Sequence, residues 1–329
     1  MHDAFAYAGG LLATGLTDVT SDPAALDSHG WWAVVVCYEG KITCARFTDV
    51  RKAPAPTGPW RPLRGAWFSS LDQTAYEKGV RAIRAAIADG IVYQANLCRI
   101  LSAPLPHDAD LAGLGVRLAR DNPGQYAMTL RLPGLQIASA SPELYLARHG
   151  DVVESKPIKG TARTPQDFLP KDRAENVMIV DLVRNDLGRV AEIGSVTVPG
   201  LCEIEEYPGL VHYVSTVRAR LKPPNGWPEL LAASFPPGSV TGAPKSSALT
   251  LLNELEPVPR GPYCGAIGWV DADSGRAALA VGIRTFWAED GLLKFGAGAG
   301  ITWGSDPRLE WQETELKAAR LLAVAGGGR

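Results

Sequence analysis

From Gln125 to Ile158 the sequence runs through short strand-like segments joined by turns, and this constrains the fold more than any other stretch. QYAMTLRL, a Pro-Gly turn, LQIASAS and ELYLARHGDVVESKPI follow one another with no helix between them. Tight turns join antiparallel strands, whereas parallel strands need a long crossover. WWAVVVCY (31–38), EGK and ITCARF (42–47) read as a further β-hairpin. Strands are also read over IVYQANLCRIL (91–101) and the alternating LVHYVSTVRARL (210–221), and three more over YCGAIGWV, AALAVGIRTFWA and LLKFGAGAG.

Helices are interspersed. Tyr76, Val80, Ile83 and Ile87 recur at helical spacing between Thr74 and Asp89, and Gly90 supplies the stop. LAGLGVRLARD is a short helix, and KDRAENVMIVDLVRNDLG (171–188) ends at Gly188. APKSSALTLLNEL (243–255) carries Pro244 in its first turn, and the closing helix (306–324) has Asp306 as cap and Pro307 at its start. Residues 51–66, with four prolines and two glycines, read as a linker. Hairpin runs with helices among them predict an α+β fold with large antiparallel sheets, not strict βαβ alternation.

With 329 residues, the chain has room for one large domain or two smaller ones. A net charge of -2 gives no basic field for nucleic acid. The apolar N-terminal run is interrupted by Gly9, Gly10 and Gly15, so neither a signal peptide nor a membrane span is expected. Five scattered cysteines, with no CxxC, predict reduced thiols in a cytoplasmic protein.

Several residues have the character of a site. Lys159 lies in SKPIKGTARTP at the end of an apolar strand, where lysine is seldom placed. It reads as a salt-bridge partner, a clamp for an anionic ligand, or a nucleophile. Asp172 and Glu175 share a face of the 171–188 helix, and Glu310 and Glu313 share one on the last helix, with Lys317 a turn further on. Leu309, Leu316 and Ala323 share the opposite face of that helix, so its acids lie off the most apolar stripe. Two facing acid pairs suit a hard cation such as Mg2+; otherwise they are solvated acids paired with Lys171, Arg173 or Arg320.

FGAGAGITWG (295–304) reads as a glycine-rich loop, either an anion nest or a plain turn. Arg284, read as mid-strand, needs a carboxylate partner from protein or ligand. PPGSVTGAPKSSA (236–248) joins a Pro/Gly loop to a helix start, with Ser239 or Thr241 as its cap or as a ligand contact. His212, within a strand, reads first as a structural histidine.

In order along the chain, SASPELYL, KPIKGTAR, KDRAENVMIVDLVRNDLGRV, VHYVSTVRARL, PPGSVTGAPK, RGPYCGAIGW, IRTF, AGAGI and EWQETELKA resemble the chorismate-utilising enzymes, over roughly residues 70 to 325. The resemblance implies one α+β domain over 1–329 in which two large, mainly antiparallel sheets pack together with helices outside. Its core would span 70–325, preceded by a β-rich part and linker (1–66). Chorismate and Mg2+ are the implied ligands. Glu175 and Glu313 match the family's metal-ligating glutamates, with Asp172 and Glu310 in supporting positions. Arg284, Tyr263 and the backbone of Gly298, Ala299 and Gly300 match contacts to substrate carboxylates. Thr241, His212 and Lys317 match further substrate contacts, and Glu143 matches an acid for proton transfer near the ring.

Two positions discriminate within the family. Members that add water carry a lysine base where this chain has Gln94, and an amide cannot deprotonate water. Anthranilate-forming members read PIAGT where this chain reads PIKGT. The lysine marks the aminodeoxychorismate-forming branch, in which it attacks C2 and ammonia then enters at C4. A glutamine amidotransferase is the implied ammonia source. Only ARTPQDFLP separates the KGT motif from KDRAEN, shorter than is common in the family.

Overall fold

A computed structural model of the chain describes residues 3–207 and 210–326. Its strands are β1 (Phe5–Ala8), β2 (Leu11–Thr20), β3 (Trp31–Val36), β4 (Ile42–Lys52), β5 (Phe68–Ser69), β6 (Gln94–Pro104), β7 (Met128–Leu132), β8 (Leu135–Ser139) and β9 (Leu144–His149). They continue with β10 (Val152–Lys156), β11 (Ile158–Ala162), β12 (Thr197–Tyr207), β13 (Leu210–Arg220), β14 (Gly242–Ala243), β15 (Ala266–Asp271), β16 (Arg276–Val281), β17 (Thr285–Glu289) and β18 (Leu292–Ile301). The helices are α1 (Gln73–Ala88), α2 (Leu111–Asp121), α3 (Pro170–Gly188), α4 (Trp227–Ser234), α5 (Lys245–Leu255) and α6 (Pro307–Gly326).

The strand pairings are antiparallel, as the hairpin runs predict, and they form two halves of one continuous ladder. The first half runs β6–β18–β17–β8–β7–β1, with β5 and β14 also on β6. The second runs β2–β4–β3–β15–β16–β9–β10–β13–β12, with β11 following β10 along the same edge of β13. The β1–β2 hairpin joins the halves. Its two-residue loop is Gly9-Gly10, both at positive φ (58° and 79°), the geometry that a type I′ turn requires. Two of the three glycines that interrupt the N-terminal apolar run, Gly9 and Gly10, are therefore hairpin punctuation, while Gly15 lies inside β2.

The largest apolar cluster draws on both halves, with Ile100, Met128 and Ile137 from one and Val34, Leu146 and Ile267 from the other. The two halves thus share one core. Odd-numbered residues of β6 serve a second layer: Ala95 and Leu97 pack with Tyr76, Val80 and Ile83 of α1 and with Leu252 of α5. Both faces of this strand are covered, so its polar residues Gln94, Asn96 and Arg99 are buried as well.

Some expected boundaries move. The strand read as 91–101 begins at Gln94 and extends to Pro104, and the helix read from 243 begins at Lys245, with Pro244 as its N-cap. AALAVGIRTFWA is broken into β16 and β17 by a bend, so Arg284 is not mid-strand. It sits just before β17 at φ 51°. The glycines of 295–301 lie within β18, as the strand reading of LLKFGAGAG has it and not as the loop reading does, because they pair in register with Ala95–Leu101 of β6. On α6 the buried stripe is Glu310, Thr314, Ala318, Leu321 and Val324, while Leu309 and Leu316 are exposed. The acids therefore do not all lie away from the core, and the Ser305 hydroxyl bonded to Glu310 makes that burial tolerable.

Candidate active site

Lys159 is the second residue of β11, opposite Tyr213 of β13. The register slips between Lys159 and Thr161, and Gly160 at the slip adopts φ 79°. A methyl group on Gly160 would lie 2.8 Å from Asp172 Cβ, so glycine is needed for space as well as for the bulge. The bulge directs the lysine inward. Its Nζ donates to the Ser239 carbonyl at 2.9 Å. Burial lowers the Lys159 pKa, against the pull of Glu175 and Glu143 and with the help of Lys317.

Three other elements converge on this amine. Gln94 opens β6, and Gly300 lies near the end of β18; a methyl on Gly300 would lie 2.5 Å from Gln94 Nε2 and 3.9 Å from Lys159 Nζ. Gln94 is buried, and its Oε1 has no hydrogen-bond partner among the described residues. Glu143 immediately precedes β9 and is 4 % exposed. Burial pushes its carboxyl pKa up, while the Ser239 hydroxyl, Lys159, the Ile158 N–H and Arg284 draw it back. The N–H of Ile158, adjacent to the lysine, donates to Glu143 Oε1 at 3.3 Å.

Arg284 acts electrostatically on Glu143 and on His212. His212, on β13, is buried and hydrogen-bonds the Gly160 backbone. Burial and then Arg284 lower its pKa, which keeps the imidazole neutral near pH 7.

The acid pairs lie on α3 and α6. Glu175 feels Lys159, Lys171, Asp172 and Glu313, and burial raises its pKa; burial also raises that of Glu310. Burial works to raise the Glu313 pKa too, but Lys317, Lys171 and Lys159 outweigh it and hold it low. Lys317 pairs with Glu313 at 2.5 Å and donates to the Gly298 carbonyl at 3.1 Å. β17 pairs with β18 only through Phe295, so the Gly298 carbonyl faces an edge without a strand neighbour among the described residues. Residues two apart in a strand point the same way, so the backbone groups of Gly300 share that edge, whereas Ala299 is turned toward β6. Asp172 Oδ2 accepts the Leu169 N–H at 2.8 Å, so this acid caps α3.

Two expected contacts are set deeper. The Thr241 hydroxyl is buried and donates to the Pro237 and Gly238 carbonyls at 3.2 and 3.3 Å, and neither Thr241 nor Ser239 caps α5. Tyr263 lies under β18 with its ring against Gly296 and its hydroxyl 4.0 Å from Cys98 Sγ. Sequence reasoning missed the contact of the Ser239 carbonyl with Lys159, because a carbonyl contact leaves no residue signature. Lys171, one of the cations expected beside these acids, is felt by Glu175, Glu310 and Glu313.

Among the described residues, no three His, Cys, Asp or Glu side chains are gathered closely enough to grip a metal as they stand. The donor chemistry nonetheless fits a hard cation: Glu175, Glu310 and Glu313 are oxygen donors, and the Glu313 charge raises the proton affinity of the other two.

Residues 35–323 match the family described as chorismate binding enzyme. The chain belongs to that family. Among relatives, aminodeoxychorismate synthase component 1 of Klebsiella aerogenes is 38% identical over 312 residues, covering 88% of this chain and 68% of that protein. Anthranilate synthase component 1 of Streptomyces coelicolor is 38% identical over 298 residues, covering 84% and 58%. Anthranilate synthase component I from Streptococcus pneumoniae superposes with a TM-score of 0.80 at 24% identity, over 98% of this chain and 91% of that one, and so shares the fold.

Proposed function

We propose that this chorismate binding enzyme aminates chorismate at C4, as component 1 of an aminodeoxychorismate synthase. The carrying observation is the surroundings of Lys159: a buried amine with a lowered pKa, held by the Ser239 carbonyl and flanked by Glu143 and Gln94. A neutral lysine amine is a nucleophile, whereas a fully solvated ammonium is not.

In this reading Arg284, Lys317 and the open edge at Gly298 and Gly300 orient the substrate carboxylates. Glu175 and Glu313, with Glu310 behind them, would hold a Mg2+ that neutralises one of those carboxylates. The Lys159 lone pair attacks C2, the ring double bonds shift, and the C4–O bond breaks. Glu143 gives its proton to the departing hydroxyl, which leaves as water. Ammonia then attacks C4, the double bonds shift back, and the C2–N bond breaks with its electron pair returning to Lys159. The new C4 group leaves as its ammonium, so Glu143 regains its proton from solvent. The sum is chorismate, ammonia and one proton giving 4-amino-4-deoxychorismate, as its ammonium, plus water. Gln94 supports ammonia over water, since its amide cannot deprotonate water. A glutamine amidotransferase partner is the proposed ammonia source, in keeping with the "component 1" in the name of the Klebsiella relative.

The test incubates the chain with chorismate, Mg2+ and ammonium and then adds the lyase that releases pyruvate. The expected product is 4-aminobenzoate. Anthranilate would favour the alternative suggested by the Streptomyces coelicolor relative, and isochorismate would overturn amination altogether.

A further inference from the structure

A cavity of about 20 Å³ adjoins Glu143, and Ser155, Asp186, Ser234 and Ser239 also line it. It is too small for substrate, but it exceeds the ~10–15 Å³ that one water needs, and a buried water needs two to four polar partners. Two of the wall residues are carboxylic acids from separate elements. Glu143 is 4 % exposed and Asp186, on α3, is 6 % exposed. Glu143 is bounded elsewhere by the Ser239 hydroxyl, Lys159, the Ile158 N–H and Arg284. Asp186 pairs with Lys245 of α5 at 2.7 Å, with Arg189 nearby, and Lys245 also donates to the Ser234 carbonyl at 2.8 Å. The Lys245 side chain is 15% exposed and links the pair to the surface.

We propose that this cavity holds one water that relays protons between Glu143 and Asp186, with Lys245 as the outlet to solvent. The inference rests on the reading of Glu143 as the proton donor to the departing hydroxyl. Enclosed as it is, Glu143 needs a proton route that does not cross the bound substrate. In the reloading direction, the Asp186 carboxylate takes a proton from the Lys245 ammonium and hands it to the water, which gives one of its own to the Glu143 carboxylate. Solvent then restores Lys245. Only O–H and N–H bonds change, and no electrons are transferred. Burial raises the pKa of both acids, so each holds a proton more readily than a solvated carboxylate does.

The test compares wild type with Asp186→Asn, which keeps the shape but cannot carry the proton. A second variant, Ser155→Val, fills the cavity while leaving both acids in place. The expected result for each is a fall in kcat of about ten-fold or more. The KM for chorismate should stay within about two-fold, and the solvent deuterium isotope effect on kcat should rise. A kcat that falls with no change in the isotope effect would mark a structural role and overturn the relay. Wild-type kcat and isotope effect in both variants would overturn it as well. A wild-type chain that gives no aminated product would instead overturn the functional reading on which the relay rests.

Discussion

The Lys159 amine donates to the backbone carbonyl of Ser239 across a gap of 2.9 Å, tying β11 to the turn that precedes α5. Ser239 also bonds Glu143 through its hydroxyl, so one residue aligns the proposed nucleophile and the proposed acid. A carbonyl accepts from the ammonium without pairing its charge, which leaves the amine free to lose its proton when substrate arrives.

That placement has a cost in stability that depends on pH. The folded-state pKa of Lys159 lies below its ordinary value of 10.5 because burial penalises the charge. Below the folded value both states hold the proton and the penalty is complete. Between the two values the unfolded chain binds more protons, so stability rises with pH through that window. Lys159→Met should raise Tm at neutral pH and flatten this rise. A Tm for Lys159→Met below wild type across that range would contradict the burial argument.

Gly300→Ala separates packing from catalysis. The added methyl meets the far end of the Gln94 side chain, which can swing aside, so the expected loss of stability is below about 1.5 kcal/mol. The displaced Gln94 can no longer face Lys159, and amination should fall about ten-fold or more, as losses from small misplacements near a reacting group do. Denaturant unfolding and ammonia-dependent turnover measure the two effects. Normal turnover in the variant would remove Gln94 from the account.

The Glu256–Arg260 pair is a purely structural prediction. Arg260 is 1 % exposed, donates to Glu256 and to the Val240 and Asn96 carbonyls, and lies 4.1 Å from the Tyr38 ring. Glu256→Leu leaves this guanidinium buried without its countercharge and should destabilise the chain by about 3–5 kcal/mol. The double variant Glu256→Leu/Arg260→Met should recover much of that loss. Urea unfolding decides, and a single variant as stable as wild type would contradict the pairing.

Removing divalent metal with a chelator should abolish turnover, and Mg2+ should restore it. Glu175→Gln and Glu313→Gln should each raise the Mg2+ concentration needed for half-maximal activity by about 10-fold or more, since each removes an anionic oxygen ligand. Unchanged Mg2+ dependence in both variants would place the cation elsewhere.

What the sequence discloses is what local patterns encode. The apolar spacing of Tyr76, Val80 and Ile83 marks α1, Asp306 caps α6 through the Arg308 and Leu309 N–H groups, and PIKGT marks Lys159. β12 is not legible, because register slips around Gly200 break its alternation. α6 misleads, because burial of Glu310 and exposure of Leu309 and Leu316 are settled by neighbours, not by the helix. The glycines at 296, 298 and 300 read both as the end of a strand and as a glycine-rich loop, and only pairing with β6 decides for the strand. The Ser239 carbonyl and the cavity beside Glu143 are products of tertiary structure alone.

The most direct measurement is the intact and peptide mass of the chain after exposure to chorismate and Mg2+ without ammonium. The account predicts a covalent adduct of chorismate less one water on the peptide that contains Lys159, and its disappearance with release of 4-amino-4-deoxychorismate when ammonium is added. Amination at C4 by Lys159→Ala at the wild-type rate, with no adduct on the native chain, would contradict it.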